Sequence, residues 1–407
     1  MSSVLPALSS SYSSASISLR LLQQVHQPGQ GTRSLSAQVS LYQPFRDTTH
    51  EAIEMIARIL LDAQGNMSVS ATGKTAWFGA RTDRGDDTII ADVGGARGVD
   101  AGGGDDVVAI RAALEGDRVV DMVYGRGGDD TMLISSLGGT DRVSGGKGND
   151  TVAITSQTMI DRTEGGAGDD TLMLASRGGV DRVSGDGGDD TIVVQAGGNA
   201  YRTYGDGGDD TISVTAGGNA WAVSGGSGDD SIAISAAGYV SVVRGGDGAD
   251  DILVAAQNAS NIYGEDGDDT IAVAAERAHL VEGGSGDDTI RIKAGSIDRV
   301  SGGSGDDHIV LDNTSAAVSN VFFAIGDGND VVETNGPLDL KVFNSEGTAP
   351  YRGEPAITHN DDGTLTIGFG ARDSVTVKAT GDLAGKQLVV EQSGGVLHIR
   401  AAAQAGT

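Results

Sequence analysis

The stretch GGSGDDSIAI, residues 225–234, places two adjacent aspartates between a glycine-rich turn and an alternating apolar strand. Close copies of this stretch recur along the chain. When the second aspartate of each copy is taken as a marker, six consecutive intervals are 20 residues, three are 19, and the outer ones are 19, 24 and 23. Such a period is typical of solenoids, whose units bury their apolar faces only by stacking on one another.

The repeat that begins at Asp190 shows what one period can form. Ile192 and Val194 point to one side of a strand, and the residues beside them point to the other. A turn at residues 197–199 and a second extended stretch ending at Tyr204 complete the unit. We therefore expect an all-β fold, a flattened, right-handed parallel β-roll or β-solenoid of about thirteen rungs of 19–20 residues each.

The composition limits the cores and partners that this chain can have. Among 407 residues only 4% are aromatic and 65 are glycine, which predicts a thin, repetitive core. There is no cysteine, which excludes disulfides and thiolate metal sites. Residues 81–335 carry 17 Lys/Arg against 45 Asp/Glu and hold nearly all of the net charge of −29. This acidic surface argues against a nucleic-acid partner.

Targeting signals are not evident in the sequence. No run approaches 18 apolar residues, so we expect no membrane-spanning segment. The start MSSVLPALSS lacks the basic and apolar regions of a signal peptide. If the protein is secreted, we expect export without a classical N-terminal signal.

Stacking the repeats creates an electrostatic problem. Marker aspartates on successive rungs would lie about 5 Å apart, and carboxylates that close repel one another or take up protons. Lysine and arginine do not recur in this corner. A hard divalent cation, held by aspartate carboxylates and by carbonyls of the glycine turn, solves the problem, and calcium tolerates such irregular oxygen cages better than magnesium. The sequence therefore predicts multiple Ca²⁺ ions in one column.

The nine residues from Gly225 to Ala233 fit the pattern G-G-x-G-x-D-x-U-x at every fixed position. The same pattern begins at Gly145, Gly165, Gly245, Gly283 and Gly302. The chain resembles the RTX, or haemolysin-type calcium-binding repeat, family over roughly residues 82–332. The resemblance implies a parallel β-roll in which calcium lies between successive loops, held by loop carbonyls and the sixth-position aspartate. It also implies a bacterial protein of the type I secretion route, which commonly uses an uncleaved C-terminal signal.

The resemblance also assigns candidate metal ligands. The aspartates in matching motifs are Asp150, Asp170, Asp190, Asp210, Asp230, Asp250, Asp269, Asp288 and Asp307. Motifs that depart from the pattern add Asp87, Asp106, Asp130 and Asp330. The loop glycines of the candidate sites are Gly146, Gly148, Gly166, Gly168, Gly226, Gly228, Gly284, Gly286, Gly303 and Gly305.

The second corner of each rung departs from the family pattern, because it is two residues shorter before its aspartate. The residues in the ligand position are Asp141, Asp161, Asp181 and Asp298, replaced elsewhere by Tyr201, Trp221, Ser241, Asn261 and His279. We expect this corner to be mostly metal-free, with its aspartates paired to Arg142, Arg162 and Arg182 on the surface; bridging calcium is the alternative. For the aromatic cluster of Tyr201, Tyr204, Trp221 and Tyr239, packing is the simpler interpretation and stacking on a sugar the alternative.

The sequence divides into four segments. Residues 1–47 are rich in serine and predict a loose hairpin or a disordered tail. Residues 48–81 hold an amphipathic helix, introduced by a capping box at Thr48–Glu51, that would cap the solenoid, and its connection. Residues 82–332 form the solenoid, and residues 333–407 a small C-terminal β cap that could carry the export signal.

These patterns favour a secreted calcium-binding repeat protein. Its β-roll would fold on binding calcium and act as an extracellular structural or interaction module, with polysaccharide or a cell surface as possible partner. No catalytic residues are assigned, because the six histidines are isolated and the carboxylates repeat without one distinctive pair. The alternative is a solenoid enzyme acting on polysaccharide, of the lyase or epimerase type. An ice-binding roll is a third and weaker interpretation.

Overall fold

The computed structural model describes residues 68–82, 84–315 and 317–402. They form an all-β parallel solenoid of about thirteen turns, as the period predicted, and the one helical segment among them is the 3₁₀ turn Gly381–Leu383. The predicted N-terminal tail and capping helix lie outside the described residues. None of the described helices is both long and apolar enough to span a bilayer.

The strands follow one another in a regular order. The first are β1 Ser68–Phe78, β2 Thr88–Asp100, β3 Val107–Ala112, β4 Val120–Tyr124, β5 Thr131–Ser136, β6 Thr140–Lys147, β7 Thr151–Ser156, β8 Ile160–Ala167, β9 Thr171–Ser176, β10 Val180–Gly187, β11 Thr191–Ala196, β12 Ala200–Gly207, β13 Thr211–Ala216 and β14 Ala220–Ser227. The remainder are β15 Ser231–Ala236, β16 Tyr239–Asp247, β17 Asp251–Asp266, β18 Thr270–Ser285, β19 Thr289–Ser304, β20 His308–Asn313, β21 Ser319–Ala324, β22 Asn329–Thr334, β23 Leu338–Phe343, β24 Ala356–His359, β25 Leu365–Gly368, β26 Ser374–Ala379, β27 Leu388–Ser393 and β28 Val396–Ala401.

Each rung contributes one strand to each of two parallel ladders. In the first ladder β11 lies between β9 and β13, so that Thr191 is in register with Thr171 and Thr211. In the second ladder β12 lies between β10 and β14. Ile192 and Val194 are fully buried between the ladders, as the alternation predicted. The core is therefore a narrow column of Ile, Val, Leu and Ala side chains.

The length of a rung determines the shape of its second corner. In 20-residue rungs two or three residues separate the two strands, whereas the 19-residue rungs run through this corner as the single strands β2, β17, β18 and β19. The 24-residue interval places its extra residues in the same corner, between β3 and β4, whereas the 23-residue interval has extra residues both between β20 and β21 and between Val321 and Asp330. The glycine–aspartate corner keeps its length in the other rungs, and Val321 and Asp330 are nine residues apart where Val300 and Asp307 are seven apart.

The second strand of each rung contains a bend that the sequence did not predict. In β10, Val180 and Val183 are both fully buried, and Arg182 between them has φ of +55°. Two consecutive side chains, Asp181 and Arg182, therefore project outward from one strand. The residues at this position with φ of 52–61° are Met122, Arg142, Arg162, Arg182, Arg202, Ala222, Val242, Asn261, Leu280 and Arg299. A rung thus has one more bend than the two corners expected.

The ladders extend beyond the predicted limits of the solenoid. β1 pairs in parallel with β2 upstream of residue 82, and β23 pairs in parallel with β21 downstream of residue 332. Strand β26 then adds to β22 in parallel, while β28 pairs antiparallel with β23. Strands β24 and β25, and β27 and β28, form antiparallel pairs at this end.

Candidate cation column at the glycine–aspartate corner

The structure brings all thirteen marker aspartates into one corner, one per rung, where each is at most 4% exposed. They are Asp87, Asp106, Asp130, Asp150, Asp170, Asp190, Asp210, Asp230, Asp250, Asp269, Asp288, Asp307 and Asp330. Each lies immediately before the first strand of its rung or at its beginning. A buried column of carboxylates is therefore a feature of the fold itself.

In twelve of the thirteen carboxylates, from Asp106 to Asp330, one oxygen has a defined partner. Oδ1 of Asp210 accepts a hydrogen bond from the main-chain amide of Asp190 at 2.8 Å, and Oδ1 of Asp230 accepts from the amide of Asp210 at the same distance. Twelve such bonds of 2.6–3.3 Å connect successive markers from Asp87 to Asp330. This inner ladder fixes the marker side chains from Asp106 to Asp330 against the preceding rung.

The other oxygen has no partner. In twelve of the thirteen markers, all except Asp330, Oδ2 is buried and makes no hydrogen bond. Burying a polar oxygen without a partner is costly, and burying a charged one costs far more. Twelve equivalent oxygens left in this state at one corner indicate that the corner is built for something that supplies positive charge or a proton.

The first glycine of each motif makes room for this oxygen. A Cβ on Gly205 would lie 2.1 Å from Oδ2 of Asp210 and 2.6 Å from the carbonyl oxygen of Gly225 on the next rung. The carboxylate and a main-chain carbonyl therefore border the same small space. The glycines concerned were not among the predicted site residues, although glycine recurs at this position in every matching motif. They are Gly125, Gly145, Gly165, Gly185, Gly205, Gly225, Gly245, Gly264, Gly283 and Gly302.

The ten loop glycines that were predicted as site residues shape the turn. All have φ between 108° and 143°, which other residues rarely adopt. A Cβ on Gly226 would lie 2.0 Å from the carbonyl oxygen of Asp206 on the preceding rung. These glycines allow the loops of successive rungs to stack closely, so that their carbonyls lie near the marker column.

Burial raises the pKa of twelve marker carboxylates, from Asp106 to Asp330, well above the usual range, and neighbouring aspartates add to the shift. The hydrogen bond that Oδ1 accepts from a main-chain amide lowers the pKa and so opposes this shift. The pKa is about 8 for Asp150, Asp190 and Asp330, about 7 for Asp106, Asp130, Asp210, Asp250 and Asp288, and about 6 for Asp170, Asp230, Asp269 and Asp307. With no cation present, the carboxylates with a pKa of about 7 or 8 therefore hold protons to a large extent at pH 7.

The first aspartate of each doublet forms a second ladder, which the sequence analysis missed. Oδ1 of Asp209 accepts from the amide of Asp229 on the following rung at 2.8 Å, the opposite direction to the inner ladder. Eleven such bonds of 2.7–3.0 Å run along the exposed edge of the corner. The doublet DD was the available signal, because either aspartate can accept from a neighbouring rung.

The second corner holds arginine–aspartate pairs, as expected, but with a different geometry. Arg162 donates through Nε and Nη2 to the two oxygens of Asp141, at 2.8 and 2.6 Å. The same two-bond clamp joins Arg142 to Asp121, Arg182 to Asp161 and Arg202 to Asp181. Each arginine therefore reaches the aspartate of the preceding rung, and Asp141 is 1% exposed, not a surface group.

One assignment in the second corner was wrong. Asn261 was placed in the ladder of Ser241 and His279, but the residue in register with them is Ser260. Asn261 occupies the adjacent left-handed position instead, with φ of +57°. The 19-residue rung lacks one residue before this point, which shifts the count.

The donor set fits a cation that prefers oxygen. Among the described residues, no group of three or more His, Cys, Asp or Glu side chains converges on one point. A cation in this corner would therefore take one carboxylate per rung and complete its shell with carbonyls of the glycine loops, a mixed set that suits calcium. No protein-family model and no curated protein sequence matches this chain. The RTX resemblance thus stays a prediction from the motif.

Proposed function

We propose that this chain is a secreted calcium-binding repeat protein of the RTX type. Its glycine–aspartate corner binds a column of Ca²⁺ ions, and the solenoid serves as an extracellular structural or interaction module. The observation that carries the proposal is the set of twelve buried Oδ2 atoms without a hydrogen-bond partner. A cation beside them removes both the desolvation cost and the repulsion between rungs.

The chain's own residues account for a coupling of binding to folding. The carboxylates and carbonyls are brought together only when the rungs stack, so a cation that binds them stabilises the folded state and not the unfolded chain. The hydrogen bonds from main-chain amides to Oδ1 hold the carboxylates so that Oδ2 is directed toward the first glycine of the same motif. Calcium, when bound, supplies the positive charge that allows all of these carboxylates to ionise. In this proposal the chain stays unfolded where calcium is scarce and folds outside the cell.

The flanking segments complete the proposal. The C-terminal strands β24–β28 cover the end of the solenoid, where unpaired edges would otherwise be open to pairing with another chain. The capping helix predicted within residues 48–81 would do the same at the other end. A polysaccharide-active solenoid enzyme is the alternative function, and it would need one distinctive acid–base pair, whereas these carboxylates repeat from rung to rung.

The test is circular dichroism and thermal unfolding of the full chain in millimolar calcium, in millimolar magnesium and in excess chelator at pH 8. We expect a β spectrum and a cooperative transition in calcium, and in chelator a transition at a much lower temperature. Native mass spectrometry in calcium should then show several bound ions. Identical spectra and melting temperatures in calcium and chelator would refute the proposal.

A further inference from the structure

The outward face of the second ladder changes character after the last arginine clamp. Up to Arg202 this face carries the paired arginines and aspartates of successive rungs. Over the next rungs it carries aromatic, hydroxyl and amide side chains instead. We call these the aromatic–hydroxyl face, and its members are Tyr201, Trp221, Tyr239, Ser241, Ser260 and Asn261.

The rings of Tyr201 and Trp221 stack on one another in this face. Their centroids are 4.8 Å apart and their planes differ by 17°. The hydroxyl of Tyr201 accepts from the side-chain amide of Asn199 at 2.7 Å, which fixes its position. One face of the Trp221 indole is thus covered by a ring that is itself held in place.

The opposite face of the Trp221 indole has no ring against it in the ladder. The next residue in register is Ser241, followed by Ser260, and both side chains are too short to cover an indole. Their hydroxyls are 3.1 Å apart, and the side-chain amide of Asn261 donates to Ser241 at 3.1 Å. An open aromatic surface therefore adjoins a polar floor of two hydroxyls and an amide.

The edges of the aromatic–hydroxyl face add a further ring and little net charge. Tyr239 is two residues before Ser241 on the same strand and is 53% exposed. Arg244, nearby, is ion-paired with Glu265 and lies over the ring of Tyr263. Because this cation is already compensated and the chain carries a net charge of −29, the face does not suit an anionic ligand.

We propose that the aromatic–hydroxyl face binds a neutral hexose oligosaccharide, with one pyranose ring stacked on Trp221 above Ser241. A pyranose presents C–H groups on one side, which pack on the negative face of an aromatic ring. Its hydroxyls lie around the rim, where the floor and the Tyr239 hydroxyl offer donors and acceptors. The ligand ring continues the stack that Tyr201 and Trp221 begin, one rung further along.

The experiment uses the full chain in calcium and a Trp77→Phe background, in which Trp221 is the one remaining tryptophan. Cellohexaose and maltohexaose are the neutral probes, and an oligogalacturonate of similar length is the anionic one. We expect saturable heat in calorimetry and a matching change in Trp221 emission for at least one neutral probe. Binding of neither neutral probe, or of the oligogalacturonate alone, would overturn the proposal.

Three variants test the position of the ligand. In the native tryptophan background, Trp221→Ala should weaken binding about tenfold or more, because the stacking surface is lost. Ser241→Tyr should abolish binding while keeping the fold, because a third ring then fills the place of the sugar. Tyr124→Ala, in the ladder position of Tyr204 but several rungs away, is the control and should bind normally. Calorimetric binding that survives Ser241→Tyr in a chain with an unchanged β spectrum would show that the stack is merely structural.

Discussion

The two corners of each rung meet the same electrostatic problem in different ways. Both stack aspartates at the spacing of the rungs, and both bury them: Asp141 and Asp210 are each 1% exposed. In the second corner a guanidinium from the following rung neutralises each carboxylate through two hydrogen bonds. In the first corner Oδ1 of Asp210 accepts a hydrogen bond from a main-chain amide, whereas its Oδ2 has no partner. The fold can therefore place an arginine beside a stacked aspartate, as it does in the second corner, but it does not do so at the glycine–aspartate corner.

The difference follows from what each corner can accommodate. An arginine occupies the left-handed position of the second strand, from which its side chain reaches back by one rung. At the first corner the glycine next to the carboxylate allows no Cβ, since one on Gly205 would lie 2.1 Å from Oδ2 of Asp210. A side chain cannot fill that space, but a small ion drawn from solution can enter it.

The largest expected effect is the pH dependence of the stability of the metal-free chain. It should arise from the glycine–aspartate corner and not from the corner with arginine pairs. Burial raises the pKa of the twelve marker carboxylates from Asp106 to Asp330 to about 6–8, above the value of 3.8 expected for aspartate in an unfolded chain, so the folded state binds more protons between these pH values. The free energy of unfolding must then fall as pH rises from about 4 to about 8. In chelator we expect the melting temperature to be higher at pH 5 than at pH 8 by roughly 10 °C.

Circular dichroism melts at several pH values in chelator measure this effect, and melts in saturating calcium are the control. Calcium replaces the protons, so the decline of stability between pH 5 and pH 8 should disappear or reverse when calcium is present. A metal-free chain that becomes steadily more stable as pH rises over this range would contradict the predicted protonation of the buried marker carboxylates.

The second prediction breaks an internal ion pair. Asp141→Ala removes the partner of Arg162 and also of Arg118, whose Nε lies 3.2 Å from the same carboxylate. We expect the melting temperature in saturating calcium to fall by roughly 5 °C, since a charge-assisted, two-bond contact is lost. The number of calcium ions bound, counted by native mass spectrometry, should not change.

Asp298→Ala is the matched control for this clamp. Asp298 occupies the same ladder as the clamp aspartates, but it is about half exposed and pairs with His279 at 3.1 Å. We expect a shift of about 1 °C or less, because exposed pairs contribute little. If Asp141→Ala lowered the calcium count, the second corner would have to be reassigned as a metal site.

The third prediction exchanges one marker carboxylate for its neutral isostere. In Asp210→Asn the side-chain oxygen can still accept a hydrogen bond from the main-chain amide of Asp190, and the side-chain NH2 group then lies toward the carbonyl oxygen of Gly225. In chelator at pH 8 the substitution should raise the free energy of unfolding by about 1 kcal/mol, because a repelling buried charge is gone. In saturating calcium it should lower it by a similar amount, because a ligand oxygen is gone.

The neighbouring substitution Asp209→Asn provides the control for that change of sign. It removes the same charge one residue away, on the exposed edge, and keeps the oxygen that accepts from the amide of Asp229. We expect effects of less than about 0.5 kcal/mol in either condition. Chemical denaturation with and without calcium compares the two variants. Equal effects of both would mean that the orphaned oxygen of the inner ladder has no special role.

The sequence predicted the parts of this structure that depend on period alone. The regular spacing of the markers places them in one column, and the alternation of Ile192 and Val194 places the core. The left-handed bend escaped prediction, because arginine, valine and leucine at that position carry no local preference for positive φ. It is imposed by the need to bury both Val180 and Val183 across a turn of the chain.

The missed parts of the site follow from contacts between rungs. A sequence shows that two aspartates are adjacent, but not that one accepts from the rung before and the other from the rung after. The misplaced Asn261 has a related cause, because only the ladder register shows where a 19-residue rung loses its residue. Repetition therefore predicts columns well and predicts the direction of their hydrogen bonds poorly.

The smallest effect is expected from adding a hydrogen-bond acceptor to the outer ladder at the one position that carries alanine. Position 249 carries the methyl group of Ala249 where neighbouring rungs have Asp229 and Asp268, so no side-chain oxygen there can accept from the amide of Asp268. Ala249→Asp should supply that acceptor and raise the free energy of unfolding by about 0.5 kcal/mol. The gain should be larger in high salt, which screens the repulsion from Asp229 and Asp268. Ala249→Ser, whose hydroxyl is too short to span the rungs, is the control. A loss of stability in Ala249→Asp at every salt concentration would show that the outer ladder does not stabilise the stack of rungs.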